Sequence, residues 1–260
     1  MNEALIQQVL GAIIQNNMEL ARGIIEEIVR KDTSESAETR RSLSILFCEL
    51  SNAIEEIEVE KAITLLGWST RLNPEASYAW YRFGHLQFQV GEIEGAQFAF
   101  TKSLDLTRVA GDQEMIAMAT GSLGLAHQTL GEFEKAKGLH EERLSIYKKL
   151  EKRNGMAIEY GNLAVIYQIQ GNIESSVEMM QKSLVIHQEL NNERGIAYQL
   201  NNLGSMYLMQ DKVELAEICI QGSLEIHTRI NHQEGVIVNW GNLGILNKLQ
   251  GHVELEKHAA

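Results

Sequence analysis

The residues of this chain best suited to chemistry are eight histidines, two cysteines and a few pairs of neighbouring carboxylates. His187 and His227 lie 40 positions apart, and their sequence neighbours offer no carboxylate or thiolate at helical spacing. A structural role is therefore favoured over a metal site. His252 and His258 are six residues apart, which places them on different faces of a helix. We expect neither a metal nor another cofactor.

The cysteines and the carboxylates favour packing and solvation over catalysis. Cys48 and Cys219 stand in the apolar runs SILFC and AEICI, which predicts two core residues. Two cysteines are too few for a disulfide framework, so a reducing cytoplasm is the expected location. Adjacent carboxylates such as Glu141 and Glu142 are interpreted as solvated charge on exposed helices.

Whole-chain features exclude several classes of function. The sequence has no phosphate-binding loop, nucleophile elbow or dinucleotide fingerprint, so we predict that it is not an enzyme. A formal net charge of −12 argues against nucleic acid or an anionic membrane as a partner. No apolar run is long enough to span a membrane, and the N-terminal residues MNEALIQQVL do not resemble a signal peptide.

The elements that position these residues form an internal repeat of 40 residues. Blocks that begin at positions 81, 121, 161, 201 and 241 align without a gap. They open with YRFGHLQFQVGEIE, GSLGLAHQTLGEFE, GNLAVIYQIQGNIE, NNLGSMYLMQDKVE and GNLGILNKLQGHVE. The single proline, where average usage of about 5% gives roughly thirteen, favours helix throughout.

Each block predicts two helices. The first, for example residues 156–169, stops before Gly171, because glycine readily adopts the left-handed conformation that ends a helix. The second covers about residues 173–190 and ends in a polar turn such as NNERG. The positions equivalent to Gly171 are Gly91, Gly131, Asp211 and Gly251.

Small residues recur where the two helices of a block approach each other. They are Gly84, Gly124, Ala164, Gly204 and Gly244 on first helices, and Ala96, Ala136, Ser176 and Ala216 on second helices. Small residues beside large ones allow ridges to enter grooves. One helix pair has too little apolar area to be stable alone, so each must stack on its neighbours. The predicted fold is an all-α solenoid of stacked antiparallel helix pairs.

The pattern resembles that of the tetratricopeptide repeat (TPR) family. The residues that carry the resemblance are Trp80, Phe83, Gly84, Ala96, Tyr160, Leu163, Tyr167 and Gly171. The 40-residue spacing is similar to the longer variety found in kinesin light chains, spindle-orienting adaptors and many bacterial proteins. Upstream, Ala62 lies 34 residues before Ala96, as in the ordinary repeat, and Pro74 closes that repeat. The resemblance implies a right-handed superhelix whose first helices line a concave groove.

We expect one solenoid over residues 1–260. Its parts are a degenerate helix pair at 2–35, a 34-residue repeat at 43–76, 40-residue repeats at 77–116, 117–156, 157–196 and 197–236, and an incomplete repeat at 237–260. The only linker-like stretch is KDTSESAETRR at 31–41. The incomplete last repeat leads us to expect either a longer natural protein or another chain packed at this end.

The resemblance also implies a binding site. Similar asparagines in the family grip the backbone of an extended peptide, and an amide can both donate and accept a hydrogen bond. The matching residues are Asn162, Asn202 and Asn242, with Tyr81, Arg82, His85, Phe88, Gln128, Gln168 and Tyr198 as further groove positions. The alternative is that these asparagines cap or bridge neighbouring helices.

The leading prediction is a non-catalytic scaffold for protein–protein interaction, which binds a peptide or a partner segment in the concave groove. One alternative is the sensor or regulatory module of a longer effector protein. Another is a protein that forms homo-oligomers through its incomplete C-terminal repeat.

Overall fold

The protein is described by a computed structural model that covers residues 3–30 and 34–259, with side chains described for residues 4–30 and 37–249. The chain divides into two compact units, residues 1–139 and 140–260. Within the described ranges every regular element is a helix. The thirteen helices are α1 Glu3–Ile14, α2 Met18–Arg30, α3 Ser34–Ile54, α4 Val59–Leu72, α5 Ser77–Gln89, α6 Ile93–Ala110, α7 Gln113–Thr129, α8 Phe133–Lys149, α9 Arg153–Ile169, α10 Ile173–Glu189, α11 Glu193–Met209, α12 Val213–Arg229 and α13 Gln233–Ala259.

Left-handed residues separate the helices every 20 positions from α5 onward. The predicted helix stops at Gly91, Gly131, Gly171 and Asp211 are confirmed, with φ values of 87°, 76°, 74° and 55°. The turns between one repeat and the next have left-handed residues at Gly111, Glu151, Asn191 and Asn231, with φ values of 74°, 54°, 52° and 55°. Glycine adopts this conformation without a steric penalty, and asparagine and aspartate tolerate it better than other residues.

Polar side chains then start several of the helices. The Asn172 carboxamide oxygen accepts a hydrogen bond from the Ser175 backbone N–H at 3.1 Å, and Asn192 does the same for Gly195 at 3.0 Å. Such caps satisfy N–H groups that have no partner within the helix.

Close contact between helices occurs where small residues were predicted. A β-carbon on Gly204 would lie 2.6 Å from the Ile220 side chain of α12, and one on Gly84 would lie 2.9 Å from the Phe100 ring of α6. Ser176 Oγ of α10 donates to the Ala164 carbonyl oxygen of α9 at 2.8 Å. In unit 2 the resulting core has two clusters of buried residues. One contains Ala164, Met180, Leu203 and Met206, and the other contains Leu208, Ala216, Ile220 and Leu246.

The linker predicted at residues 31–41 is wrong over most of its length. Residues 34–41 belong to α3, whereas 31–33 lie outside the described residues. The segment contains alanine, glutamate and arginine, which favour helix, and Thr39 is buried. The polar composition of residues 34–41 is therefore that of a helix in which a threonine, Thr39, is a buried packing residue.

The turn predicted at Gly251 is also wrong. α13 continues through this residue as one helix, Gln233–Ala259. The predicted approach point at Gly244 is exposed, and a β-carbon there would meet nothing within 4 Å.

Candidate partner-binding face

The first helix of the α9–α10 pair exposes apolar side chains on one face. Ile158, Val165 and Ile169 are 47%, 36% and 51% exposed, and Asn162 is half-buried between them. Spacings of four, three and four residues place all four side chains along one side of a helix. Because burial of these carbons would be favourable, this side of α9 is suited to contact with another molecule.

The same stripe recurs on the other first helices of unit 2. The residues are Tyr198, Asn202, Ser205 and Met209 on α11, and Val238, Asn242 and Ile245 on α13. All of the apolar members are exposed. We call the three stripes together the first-helix face. The residues that define this face are apolar or neutral polar. An exposed charge that packs on one member is the Arg194 guanidinium, which lies 5.7 Å from the centroid of the Tyr198 ring.

The asparagines of the first-helix face are all half-buried, but their contacts differ. Asn242 Nδ2 donates to Asn201 Oδ1 of α11 at 2.8 Å, so this amide bridges two helices. Asn162 Nδ2 lies 3.5 Å from both carboxylate oxygens of Glu159 on its own helix. For Asn242, therefore, the alternative that the asparagines bridge neighbouring helices is confirmed. Each amide keeps hydrogen-bonding capacity beyond these contacts.

Beneath the first-helix face lies a series of buried polar residues, Glu159, Gln199 and Asn239, at one repeat position. Glu159 accepts hydrogen bonds from His140 Nδ1 at 2.7 Å and from Arg143 Nη1 at 2.8 Å. Asn239 Nδ2 instead donates to Ser223 Oγ at 3.0 Å. Pairing compensates for the loss of hydration, so the cluster around Glu159 is a structural ion pair.

Two histidines at the ends of second helices are packing residues, as predicted. His187 and His227 are buried, and a β-carbon on Gly195 or Gly235 would lie 2.5 Å from the respective ring. Burial lowers the pKa of both imidazoles, and nearby His232 and Arg194 lower the pKa of His227 further. Both rings are therefore held in the neutral form near pH 7.

Unit 1 holds five of the predicted groove residues, four of them on α5. Tyr81 packs against His85 and the core residue Phe100, with ring centroids 6.3 and 6.0 Å away. Arg82 forms an ion pair with Glu55. Burial, and then Arg82, lower the pKa of His85, whereas Glu55 raises it. Phe88 and, on α7, Gln128 are half-buried. Arg82 is therefore engaged within the protein.

In unit 2, Gln168 is half-buried on α9, one residue before the exposed Ile169. Tyr198 is 39% exposed and lies at the start of α11. Its ring packs edge-on against His227 and His232, at centroid distances of 5.3 and 5.7 Å. The predicted groove residues thus belong to two separate groups, one in each unit.

Two segments of the chain match family models of the tetratricopeptide repeat, residues 77–109 and residues 160–194. The chain is a tetratricopeptide repeat protein. The sequence of this TPR protein matches no curated protein.

Solved structures share the fold of this TPR protein at low sequence identity. BtubC (BKLC) from P. vanneervenii is 21% identical, with a TM-score of 0.66 over 88% of this chain and 93% of that one. A second structure contains TPR-like repeats, nearly identical to one another, from a Podosopora anserina protein assigned as a kinesin light chain. It is 15% identical in sequence to this chain, with a TM-score of 0.61 over 72% of this chain and 95% of that one. A STAND protein from Pyrococcus horikoshii with a TPR sensor is 18% identical, with a TM-score of 0.69 over 95% of this chain and 38% of that one. The fold is an all-α repeat solenoid.

Sequence reasoning missed the apolar members of the first-helix face, namely Ile158, Val165, Ile169, Val238 and Ile245. A signal for them exists, because positions 118, 158, 198 and 238 are Met, Ile, Tyr and Val in the four consecutive repeats. Apolar residues at such a position are easily assigned to the core of a TPR protein, and only their exposure distinguishes them.

Two other kinds of feature are absent from the described part of this TPR protein. No three histidine, cysteine, aspartate or glutamate side chains within it are grouped so that they could hold a metal ion. None of its helices has the length and apolar character needed to cross a membrane.

Proposed function

We propose that this TPR protein is a non-catalytic scaffold that holds a peptide or a segment of a partner protein on the first-helix face. The resemblance to the family supports a position of this face on the concave side of the solenoid. The observation that carries the proposal is the recurrence of exposed apolar side chains around a half-buried asparagine on α9, α11 and α13. The proposal is also supported by the family, because TPR repeats generally mediate protein–protein interaction.

The chemistry of the face defines the partner segment. Successive first helices about 10 Å apart would meet an extended chain, which rises about 3.3 Å per residue, at every third residue. Apolar partner side chains would pack on Ile158, Ile169, Met209 and Ile245, while the asparagine amides contact the partner backbone. Because the described side chains of the face are uncharged, we expect a partner segment with few charges and a binding strength that responds weakly to salt.

A displayed library of random peptides provides the probe for this proposal. Peptides selected on the 260-residue chain are measured by fluorescence anisotropy against a face variant, Ile158→Ser with Ile169→Ser and Met209→Ser. We expect affinity to fall about tenfold or more, since a few buried anchors dominate such interfaces. The matched control is Val185→Ser with Ile218→Ser, which changes exposed apolar residues of second helices.

A second variant tests the asparagines. Replacement of Asn162, Asn202 and Asn242 together with alanine should weaken the same peptides while helicity measured by circular dichroism is retained. Unchanged affinity in both the serine and the alanine variants would exclude the first-helix face as the binding site.

A second candidate is a sensor module that regulates an attached effector domain. It is supported by the likeness to the STAND protein whose TPR part is a sensor. The full-length open reading frame tests it, because a regulatory module requires an effector domain in the same chain. We place the protein in the cytoplasm on the basis of its two free cysteines, Cys48 and Cys219.

A further inference from the structure

An open pocket of about 400 Å³ lies between α9 and α10, on the side of α9 that is opposite to the first-helix face. Tyr160 lines this pocket and is two residues away from both Ile158 and Asn162, which corresponds to roughly 200° around a helix. Sites for small ligands typically have volumes of roughly 300–1,000 Å³. The cavity, which we call the Tyr160 pocket, is therefore large enough for a small organic molecule.

Two lysines from different helices contact the ring of Tyr160. The ammonium nitrogens of Lys148, on α8, and of Lys182, on α10, each lie 5.8 Å from the ring centroid. Cation–π attraction holds both positive charges beside the pocket. Because like charges repel each other, this arrangement favours an anion close to both ammonium groups.

The cations that line the Tyr160 pocket have partners that are easily exchanged. Lys182 forms an ion pair with Glu178 at 2.6 Å, and Arg153 forms one with Glu189. All four side chains are about half exposed, so each ion pair contributes little to stability. Lys182 can therefore turn toward a ligand at small cost.

Two hydrogen-bond donors at the pocket are free. Among the residues that the structure describes, neither the Lys148 ammonium group nor the Tyr160 hydroxyl has a hydrogen-bond partner. The lysine stem is flexible, so one carboxylate can accept hydrogen bonds from both groups. Beside them, Met156 and Val185 supply apolar walls. A polyanion such as nucleic acid is not favoured, because it requires several unpaired cations, whereas this pocket has one.

The repeat itself does not require these residues. At the next junction the positions of Lys148, Tyr160 and Lys182 are occupied by Gln188, Leu200 and Gly222. That junction has the same fold with neutral side chains, so the combination of one aromatic ring and two lysines is a property of the α8–α10 region alone among these two. Stability of the solenoid therefore does not explain it.

We propose that the Tyr160 pocket binds a small organic carboxylate with an apolar body. The carboxylate accepts hydrogen bonds from the Lys148 ammonium group and the Tyr160 hydroxyl, with Lys182 as a further positive charge, and the apolar body packs on Met156 and Val185. The proposal does not rest on the proposed function, since it uses the opposite side of α9.

Isothermal titration calorimetry of the intact chain with β-naphthoate tests the proposal. The uncharged amide of the same ring system, β-naphthamide, is the matched ligand. We expect β-naphthoate to bind at least about tenfold more tightly, because hydrogen bonds to a charged group are roughly twice as strong as those between neutral groups. Its affinity should also decrease as the salt concentration rises.

A variant that copies the next junction removes the site. Lys148→Gln with Tyr160→Leu introduces the residues found at 188 and 200, and it should raise the dissociation constant for β-naphthoate about tenfold or more. Circular dichroism checks its folding. The exposed change Lys148→Gln alone should raise the constant about threefold to tenfold, and it keeps the test valid if the double variant does not fold.

Two controls separate this site from other effects. Lys149→Gln removes the same charge from the end of α8 and should leave the dissociation constant within about twofold. The face variant Ile158→Ser with Ile169→Ser and Met209→Ser should also leave it unchanged, so a failure of the first-helix face is distinguishable from a failure of this pocket. Absence of saturable β-naphthoate binding overturns the proposal. Equal affinity for β-naphthamide overturns it as well, and so does unchanged affinity in the Lys148 variants.

Discussion

Two successive junctions in unit 2 have equivalent left-handed turn residues, Glu151 and Asn191, but bury different side chains. At the α8–α9 junction, His140 and Arg143 bind Glu159. At the α10–α11 junction the equivalent residues are Met180, Ser183 and Gln199. Ser183 Oγ donates back to the Ala157 carbonyl oxygen of α9 at 2.8 Å. One junction therefore buries an ion cluster and the other a largely neutral set of side chains.

The comparison teaches that the repeat determines where residues meet, whereas the residues at each meeting point change as a set. Arginine stands where the next two repeats have serine, and the acidic residue that it contacts stands where they have glutamine or asparagine. A buried carboxylate is tolerated only when its hydrogen-bonding and charged partners are present at the same junction. Substitutions at single positions of this set should therefore be costly, and substitutions of the whole set should be mild.

The largest expected effect is that of Glu159→Ala, which leaves His140 and Arg143 without their shared partner. Removal of one member of a buried ion pair typically costs about 3–5 kcal/mol in the free energy of unfolding. The matched change Gln199→Ala should cost about 1 kcal/mol, because Gln199 Oε1 is already buried without a partner. Urea unfolding followed by circular dichroism measures both. Equal losses at the two junctions would contradict the distinction drawn above.

Transfer of the whole neutral set should reverse this loss. The variant His140→Met with Arg143→Ser and Glu159→Gln gives the α8–α9 junction the residues of the next one. Because no charge is then left buried without a partner, the triple variant should recover most of the stability that Glu159→Ala loses. The same urea titration checks it, and a triple variant less stable than Glu159→Ala would show that the residues do not act as a set.

A smaller effect distinguishes the junctions by pH. At the α8–α9 junction the Tyr147 ring packs against Gly155. At the equivalent position of the α10–α11 junction, the His187 ring packs against Gly195. Burial lowers the pKa of His187 and His227, so the unfolded chain binds more protons than the native one below about pH 6.5, the ordinary histidine pKa. The contribution of these two neutral histidines to the free energy of unfolding should be fully present above that pH, and it should be lost as the pH falls below it.

The variant His187→Tyr with His227→Tyr copies the tyrosine of the α8–α9 junction and should flatten this decrease between about pH 6.5 and 5. The melting temperature over that range is the measurement. An unchanged slope would show that other groups cause the acid sensitivity.

The smallest effect concerns the turns. Glu151 and Asn191 are equivalent left-handed residues, with φ values of 54° and 52°. Asparagine tolerates this conformation better than glutamate, so Glu151→Asn should stabilise the protein by roughly 0.5 kcal/mol and Asn191→Glu should destabilise it by a similar amount. Thermal melts of both variants test the prediction, and shifts of the same sign would contradict it.

Much of the fold is predictable because glycines and small residues recur at fixed positions. Gly171 is predicted to be left-handed and Gly204 to be a point of close approach, and backbone geometry allows few other residues there. Helix α3 was not fully predicted, since the polar segment before residue 42 has no apolar periodicity and packs through Thr39. The repeat also predicts a turn at Gly251, where the structure continues α13.

The candidate site was harder to predict than the fold. The family resemblance predicts the asparagines at a constant repeat position, whereas Ile158 and Val238 look like core residues in a sequence. The ion cluster around Glu159 was missed for the opposite reason. A glutamate in a helix is usually solvated, and nothing near it in the sequence shows that His140 and Arg143 approach from the preceding helix.

The left-handed residues at intervals of 20 have a consequence for how the gene can change length. Removal of residues 171–210 would delete α10 and α11 together and join Gln170 to Asp211, which already has the turn conformation that Gly171 provides. A duplication of the same stretch would also create no new type of turn. Whole helix pairs can therefore be gained or lost by unequal recombination, whereas loss of a single helix would leave its neighbour facing the wrong way.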